Sequence, residues 1–284
     1  MNFPQFWAKE RGFVPKGWWS KQHFECWGWS DLNMEDAQRV AREKADRIAQ
    51  NLRVTHRPPN QYSYGTRPFR EQVLRRITDG NGRLTAAISR NQFGCLILNT
   101  SNTMFVDIDF AEPILPQHRI YSFFFKPKPT PDDHLVDHHL QKIERWTAAR
   151  ENWSWQIYRT RGGLRLLAPH APFEPTSAEA VFQELGADPL YQKLCANQKS
   201  FRARLTPKPW RIGLDCARVP WPRMNDKLEL SFNRWEKKYL EKSEGYATCR
   251  LIKTIGSGKV HPEIAPILHL HDEATRAKND LPLA

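Results

Sequence analysis

The stretch TMFVDIDF, residues 103–110, places two carboxylates in a run that is otherwise typical of a buried β-strand. Side chains alternate between the two faces of a strand, so one face here is wholly apolar. That face consists of Met104, Val106, Ile108 and Phe110. Asp107 and Asp109 lie on the other face with Phe105. Because an unpaired buried charge is costly, the acidic face must meet solvent, a cation or a basic partner.

The spacing of the two acids admits two interpretations. Carboxylates two residues apart on a strand lie about 6–7 Å apart, close enough to hold one or two divalent cations between them. The alternative is a half-exposed strand whose acids meet water or arginine side chains. The strand pattern by itself leaves both open.

Composition limits the class of protein. A chain of 284 residues permits one large domain or two smaller ones. Its 43 Lys and Arg against 31 Asp and Glu give a net charge of +12, which favours a polyanionic partner. No run approaches the length of a membrane-spanning helix, and the N-terminus lacks a secretory pattern, so we expect no membrane partner. Five scattered cysteines without a CxxC pair or a spaced His partner predict a cytoplasmic protein with reduced thiols.

Eleven tryptophans are an unusually high count. They cluster near the N-terminus and again late in the chain, and the two groups are Trp7, Trp18, Trp19, Trp27 and Trp29, then Trp210, Trp221 and Trp235. Aromatic side chains next to Lys and Arg can stack on nucleobases while the cations contact phosphates. Large core anchors are the alternative, which we favour for most of them.

Hydrophobic periodicity predicts an α+β protein without internal repeats. The predicted helices are 35–52, 69–77, 133–150, 176–185, 188–196 and 262–278. The predicted strands are 23–30, 83–90, 94–99, 103–110, 154–160, 162–170, 201–207, 227–232 and 246–255. We divide the chain into a Trp-rich N-terminal segment at 1–82 packed on the core, a core at 83–260 and a helical tail at 261–284.

A second informative stretch is IYRTRGGLRLLAPH, residues 157–170. Gly162 and Gly163 permit a tight turn whose backbone N–H groups can approach a phosphate closely. Thr160, Arg161 and Arg165 would supply a hydroxyl donor and two cations around it. An ordinary glycine hairpin with an exposed arginine is the alternative.

Together these two stretches resemble the archaeo-eukaryotic primase superfamily, particularly its bifunctional primase-polymerase members. The resemblance covers about residues 83–232 and implies a mixed or antiparallel sheet core flanked by helices. It implies that Asp107 and Asp109 are catalytic acids holding two Mg²⁺ or Mn²⁺ ions. It also implies that the glycine hairpin contacts the phosphates of an incoming nucleoside triphosphate. The histidine of the family's hairpin motif is replaced by Arg165 in this chain.

The chain matches the third motif of that family less well than the first two. Family members carry an acid just before a basic, proline-containing segment, but SFRARLTPKPWR at 200–211 is preceded by Lys199. Asp215 is the nearest alternative for the third catalytic acid, with Glu229 behind it. The resemblance implies that the path of a template backbone is lined by Arg202, Arg204, Lys208 and Arg211.

The expected function is template-dependent nucleotidyl transfer on a single-stranded nucleic acid, with two divalent metals. One alternative is a catalytically inactive relative that binds nucleic acid in replication or defence. The other is a metal-dependent nuclease, in which the glycine hairpin has no clear purpose.

Arg165 has two possible roles, which predict different geometries. It can hold the triphosphate in place of the family's histidine, or it can pair with Asp107 and Asp109 and displace the metals. The glycine turn beside it favours the first role, and a guanidinium within about 3 Å of either carboxylate would indicate the second. Repulsion between the two acids further suggests that Asp107→Asn leaves the fold intact or stabilises it.

Overall fold

The computed structural model describes residues 1, 3–16, 20–55, 68, 70–110, 133–217, 219 and 221–284. The chain divides into two compact units, Asn2–Glu71 and a main unit made of Met1 with Gln72–Ala284. The described residues form six α-helices and three antiparallel sheets, which confirms the α+β class. None of these helices is long and apolar enough to cross a membrane.

The N-terminal unit is a β-hairpin with one helix. Strands β1 (Phe6–Lys16) and β2 (Ser20–Ser30) pair antiparallel, and helix α1 (Met34–Thr55) follows. The helix lies directly on the hairpin, since a β-carbon on Gly28 would fall 2.2 Å from the backbone nitrogen of Ala41. Ala37 and Ala41 are fully buried in this contact, so the predicted helix at 35–52 is confirmed.

The tryptophans of this unit that the structure describes pack against other side chains. Trp7 is buried and its ring centre lies 5.7 Å from that of Trp29. The Arg70 guanidinium lies 4.2 Å from the ring centre of Trp27. Trp7 is therefore a core anchor, whereas Trp18 and Trp19 lie outside the described residues.

The main unit contains eight strands and five helices among its described residues. In chain order they are β3 (Gln72–Thr78), β4 (Leu84–Arg90), β5 (Leu96–Thr100), β6 (Phe105–Asp109), α2 (Asp133–Ala148), β7 (Trp155–Thr160), β8 (Gly163–Leu167), α3 (Glu179–Leu185), α4 (Pro189–Gln198), β9 (Phe201–Arg204), α5 (Asp226–Ser243), β10 (Cys249–Ile255) and α6 (Ala265–Thr275). Short 3-10 turns at Pro175–Ser177 and Pro209–Ile212 complete the list.

Two four-stranded antiparallel sheets form the main unit. Their strand orders are β3-β4-β5-β9 and β10-β7-β8-β6. One continuous apolar core includes side chains from both sheets, among them Leu98, Phe105 and Phe201, together with Ile143 of α2. The second sheet carries both motifs, because β6 holds the two acids and β7 with β8 forms the glycine hairpin.

The structural units differ from the boundaries expected at 82 and 260. Strand β3 belongs to the main unit because it pairs with β4. Ile264 and Ile267, at the start of α6, are buried in the same core as β6 and β8, so the last residues are not a separate tail.

Two predicted elements are wrong. Residues 72–78 form strand β3 and not a helix, because the spacing of Val73 and Ile77 suits one face of either element. Residues 227–232 begin helix α5 and not a strand. Asn225 caps this helix by accepting a hydrogen bond from the Leu228 backbone N–H at 3.0 Å, and its buried side chains include Phe232 and Tyr239 at a helical spacing of seven.

The two glycines of the hairpin have different structural roles. Gly163 lies opposite Asp109 in the β6–β8 register, and a β-carbon there would fall 1.9 Å from the Ile108 carbonyl oxygen. A β-carbon on Gly162 would lie 3.5 Å from the Arg211 Nη2 and would meet no nearer atom. Gly163 therefore lets β8 approach β6, whereas Gly162 has room for a side chain.

This difference predicts the stability of two alanine variants. We expect Gly163→Ala to lower the free energy of unfolding by about 2 kcal/mol or more, because a backbone carbonyl cannot move aside cheaply. Gly162→Ala is the matched control and should change it by less than about 0.5 kcal/mol. Urea denaturation measures both, and equal losses would contradict the assigned contact.

Candidate functional site

The acidic strand meets a basic partner inside the protein. Asp107 and Arg165 are directly opposite each other in the β6–β8 register, so their side chains share one face of the sheet. The Arg165 Nε donates to Asp107 Oδ1 at 2.8 Å and its Nη2 donates to Oδ2 at 3.2 Å. Its Nη1 donates to the Arg204 carbonyl of β9 at 2.8 Å. One guanidinium thus uses three nitrogens to join β8, β6 and β9.

This ion pair is largely shielded from water. The Arg165 side chain is 2 % exposed and that of Asp107 is 28 % exposed. Burial alone would oppose the charge of Arg165, but the Asp107 carboxylate more than offsets this and raises the pKa of Arg165. The guanidinium therefore stays protonated at neutral pH.

The favoured role of Arg165 is therefore wrong. A guanidinium with three nitrogens bonded to the protein, one of them 2.8 Å from a carboxylate oxygen, is not presented to a triphosphate. The second role holds for Asp107, because strand register places the two side chains opposite each other.

A third carboxylate, Asp188, lies beside the acidic pair. Its backbone N–H donates to the Asp107 carbonyl at 2.9 Å, and its side chain caps α4 by accepting from the Tyr191 N–H at 2.7 Å. Asp109 is open to solvent. Surrounding protein atoms reduce the hydration of its carboxylate, and the charges of Asp107 and Asp188 add to this effect and raise its pKa. Asp188 was not among the residues predicted from the sequence, although an acid immediately before Pro189 is a typical helix cap.

The acids as arranged do not fit the expected pair of Mg²⁺ or Mn²⁺ ions. Both Asp107 oxygens accept hydrogen bonds from Arg165, and the Asp188 side chain is engaged at its helix end. Within the described ranges, no three His, Cys, Asp or Glu side chains are grouped so as to hold a metal ion. A divalent cation at Asp107 would have to displace a permanently charged guanidinium.

Cations lie close to Asp109, because the charges of Lys208 and Arg204 partly oppose the rise in its pKa. We call Arg204, Lys208 and Arg211 the basic cluster. Burial, followed by the charges of Arg204 and Arg211, lowers the pKa of Lys208 to about 8, although Asp109 acts in the opposite direction. Burial also lowers the pKa of Arg204, whose Nη1 is buried and finds no hydrogen-bond partner among the described residues. Arg211 Nη2 lies against Gly162.

The hairpin residues expected to clamp a phosphate are partly used within the fold. Thr160 is buried at the end of β7, opposite Cys249. Arg161 donates from Nη1 to the Leu283 carbonyl at 3.3 Å. The turn is braced by Arg159, which the sequence analysis missed and whose Nη1 donates to the carbonyls of Thr160 and Gly163, each at 2.7 Å.

The structure shows other interactions for Arg202 and Asp215, the two remaining predicted residues. Arg202 sits on β9, where its charge acts on the buried Cys195 thiol. Asp215 lines a cavity of about 250 Å³ with Phe232 and Trp235, and its carbonyl accepts a hydrogen bond from the Trp235 indole at 2.9 Å. The two acids whose charges raise the pKa of Asp109 are Asp107 and Asp188, and Asp215 is not one of them.

A buried polar network lies behind Arg165. The Cys249 sulfur is 3.9 Å from His271 Nε2, and His271 Nδ1 is 3.2 Å from Asp272 Oδ1. Tyr158 donates to the same Asp272 oxygen at 2.7 Å. Burial opposes a Cys249 thiolate, but His271 outweighs this and lowers the pKa of the thiol. Cys249 therefore has the His partner that spacing in the sequence did not reveal, in a fully buried position that no substrate reaches.

Comparisons with known proteins add no relative. The chain matches no protein-family model, no curated protein and no solved structure with which it was compared. The resemblance to primase-polymerases therefore rests on the motifs around Asp107, Asp109 and the Gly162–Gly163 turn.

Because of the ion pair, we expect Asp107→Asn to destabilise the protein, whereas repulsion between the two acids alone suggested no loss of stability. Because the variant leaves the buried Arg165 charge without its anion, we expect it to lower the free energy of unfolding by about 3 kcal/mol. Asp109→Asn is the matched control two residues away on the same face. It removes a crowded, exposed charge and should leave stability unchanged or slightly raised. Urea denaturation at neutral pH measures both, and an Asp107→Asn protein as stable as wild type would contradict the role of the ion pair.

Proposed function

We propose that this chain binds single-stranded nucleic acid through the basic cluster and is a non-catalytic relative of primase-polymerases. The observation that carries the proposal is the basic cluster itself, in which Arg204 and Arg211 lie close enough to Lys208 to lower its pKa and Arg211 Nη2 lies against Gly162. A phosphate placed on these cations would relieve their mutual repulsion and accept charge-assisted hydrogen bonds from them. The net charge of +12 supports the same class of ligand.

The engagement of Asp107 favours binding over catalysis. Two-metal nucleotidyl transfer needs carboxylate oxygens that are free to bridge cations. Arg165 donates to both oxygens of Asp107 and is itself fixed by the Arg204 carbonyl. Binding of a phosphate backbone needs only cations, and the charges of Lys208 and Arg204 are close enough to act on Asp109.

The proposal predicts salt-dependent binding. With about three phosphates neutralised by the basic cluster, the slope of log affinity against log salt should be near −2 for a single strand. Lys208→Gln and Arg211→Gln should each reduce the magnitude of that slope by about 0.7. Fluorescence anisotropy with a labelled oligonucleotide measures it. Lys238→Gln, on an exposed position of α5, is the control and should keep most of the wild-type slope. A wild-type slope near zero would remove nucleic acid as the ligand.

A pH series tests Lys208 separately. Because its pKa is about 8, the lysine loses its charge between neutral and mildly alkaline pH. Affinity should therefore fall as pH rises through about 8, and Lys208→Arg should remove this part of the pH dependence, since arginine stays charged. An unchanged pH profile in Lys208→Arg would show that Lys208 does not contact the phosphate.

Nucleotidyl transfer with Mg²⁺ or Mn²⁺ and nucleoside triphosphates is the second candidate. It is favoured by the crowding of Asp107, Asp109 and Asp188, which raises the pKa of Asp109, because a bound cation would relieve that repulsion.

An extension assay separates the candidates. The protein is incubated with labelled nucleoside triphosphates, a primed single-stranded template and either metal. We expect retention of the strand without extension. Extension that Asp109→Asn abolishes would instead establish the transferase, and metal-dependent shortening of the strand would establish a nuclease. Asp109→Asn is the suitable variant because we expect it to fold as wild type.

A further inference from the structure

A partly exposed aromatic pair adjoins the basic cluster. Phe93 lies in the turn between β4 and β5, and Trp210 lies in the 3-10 turn Pro209–Ile212. Their ring centres are 5.6 Å apart and the planes meet at 81°. Phe93 is 39 % exposed, which is unusual for a ring already in contact with another large aromatic. We call this pair the aromatic platform.

Hydrogen bonds order the backbone of both turns. The Asn91 side chain accepts hydrogen bonds from the backbone N–H groups of Phe93 and Cys95, each at 3.0 Å. In the other turn, the Arg211 N–H donates to the Lys208 carbonyl at 2.9 Å. A ligand that stacks on the platform therefore meets rings carried on turns whose backbone is already ordered, which lowers the entropic cost of binding.

The platform and the basic cluster share one segment of chain. Lys208 and Arg211 flank Trp210 in sequence, and the Lys208 Nζ lies 5.5 Å from the centre of the Trp210 ring. An aromatic surface next to cations is the arrangement that binds the base and the phosphate of a nucleotide together. Trp155, in contrast, is fully buried in the main unit and available to no ligand.

We propose that the aromatic platform stacks an unpaired nucleobase whose phosphate is held by the basic cluster. This inference rests on the proposed function and adds the part of the ligand that the cations cannot recognise. Bases within a duplex are already stacked on their neighbours, so the platform selects a base that is unpaired. Stacking on an aromatic ring tolerates any base, so the site should show little sequence preference.

Abasic strands separate stacking from phosphate binding. Wild type, Trp210→Ala and Phe93→Ala are titrated with a short single-stranded oligonucleotide and with a strand of equal length made of abasic sites. We expect Trp210→Ala to weaken binding of the normal strand about tenfold and to leave binding of the abasic strand nearly unchanged. Arg211→Gln should weaken both strands by the same factor, because it removes a phosphate contact. Trp210→Phe should retain most of the affinity.

A free nucleotide carries the same base and phosphate groups as a nucleic-acid strand. Titration with a nucleoside triphosphate and with inorganic triphosphate forms the second arm. If Trp210→Ala lowers affinity for the nucleoside triphosphate alone, the platform holds a free nucleotide. If it lowers affinity for the oligonucleotide, the platform holds a base of the strand.

The titrations distinguish failure of the aromatic platform from failure of the proposed function. Equal wild-type affinity for normal and abasic strands, with no effect of Trp210→Ala on either arm, would overturn the platform and leave the proposed function standing. No binding of wild type to any of the four ligands would overturn both. Phe93 is exposed, so Phe93→Ala gives a folded test if Trp210→Ala proves unstable, and a loss confined to base-containing ligands is again the expected result.

Discussion

The ion pair of Asp107 with Arg165 is the interaction on which the main unit depends. Removing two charges from water is costly, and the cost is recovered only when every donor and acceptor finds a partner. Here two hydrogen bonds join the charged groups and a third reaches the Arg204 carbonyl of the other sheet. The same guanidinium thus pairs with a partly buried acid and connects β6 and β8 to β9.

This interaction also limits the chemistry of the site. A lysine or histidine in place of Arg165 could lose its proton and release the carboxylate, whereas an arginine stays charged. Only a movement of the whole side chain could free Asp107, and that movement would break the link to β9. Structural stability and metal binding therefore compete for one carboxylate, and in the structure the guanidinium occupies it.

Local sequence patterns predict much of the secondary structure of the main unit. They do not predict the contact between Asp107 and Arg165. Alternation correctly assigned strands around the acids and the hairpin, and helix periodicity correctly assigned α1, α2 and α4. The pairing of Asp107 with Arg165 depends on the register of β6 against β8, which is set by the close approach at Gly163. A residue spacing within one segment contains no such information.

The same reason explains the other errors. Val73 and Ile77 in β3 have a spacing that suits a strand and a helix equally, and the partner strand β4 decides between them. Asp188 lies far from Asp107 in sequence, and a backbone hydrogen bond between α4 and β6 brings them together. Contacts between segments that are distant in sequence thus determine the type of element at 72–78 and the position of Asp188.

Charge in the main unit is sorted into two adjacent groups that do not fully neutralise each other. Neighbouring acids help to raise the pKa of Asp109, and neighbouring cations help to lower that of Lys208, although each of these residues acts favourably on the other. An anion placed on the cations would relieve the second repulsion without disturbing the ion pair at Arg165. A cation placed on the acids would relieve the first only in part, since Asp107 already has its counter-charge. This difference is the reason for proposing a phosphate and not a metal ion as the ligand of this site.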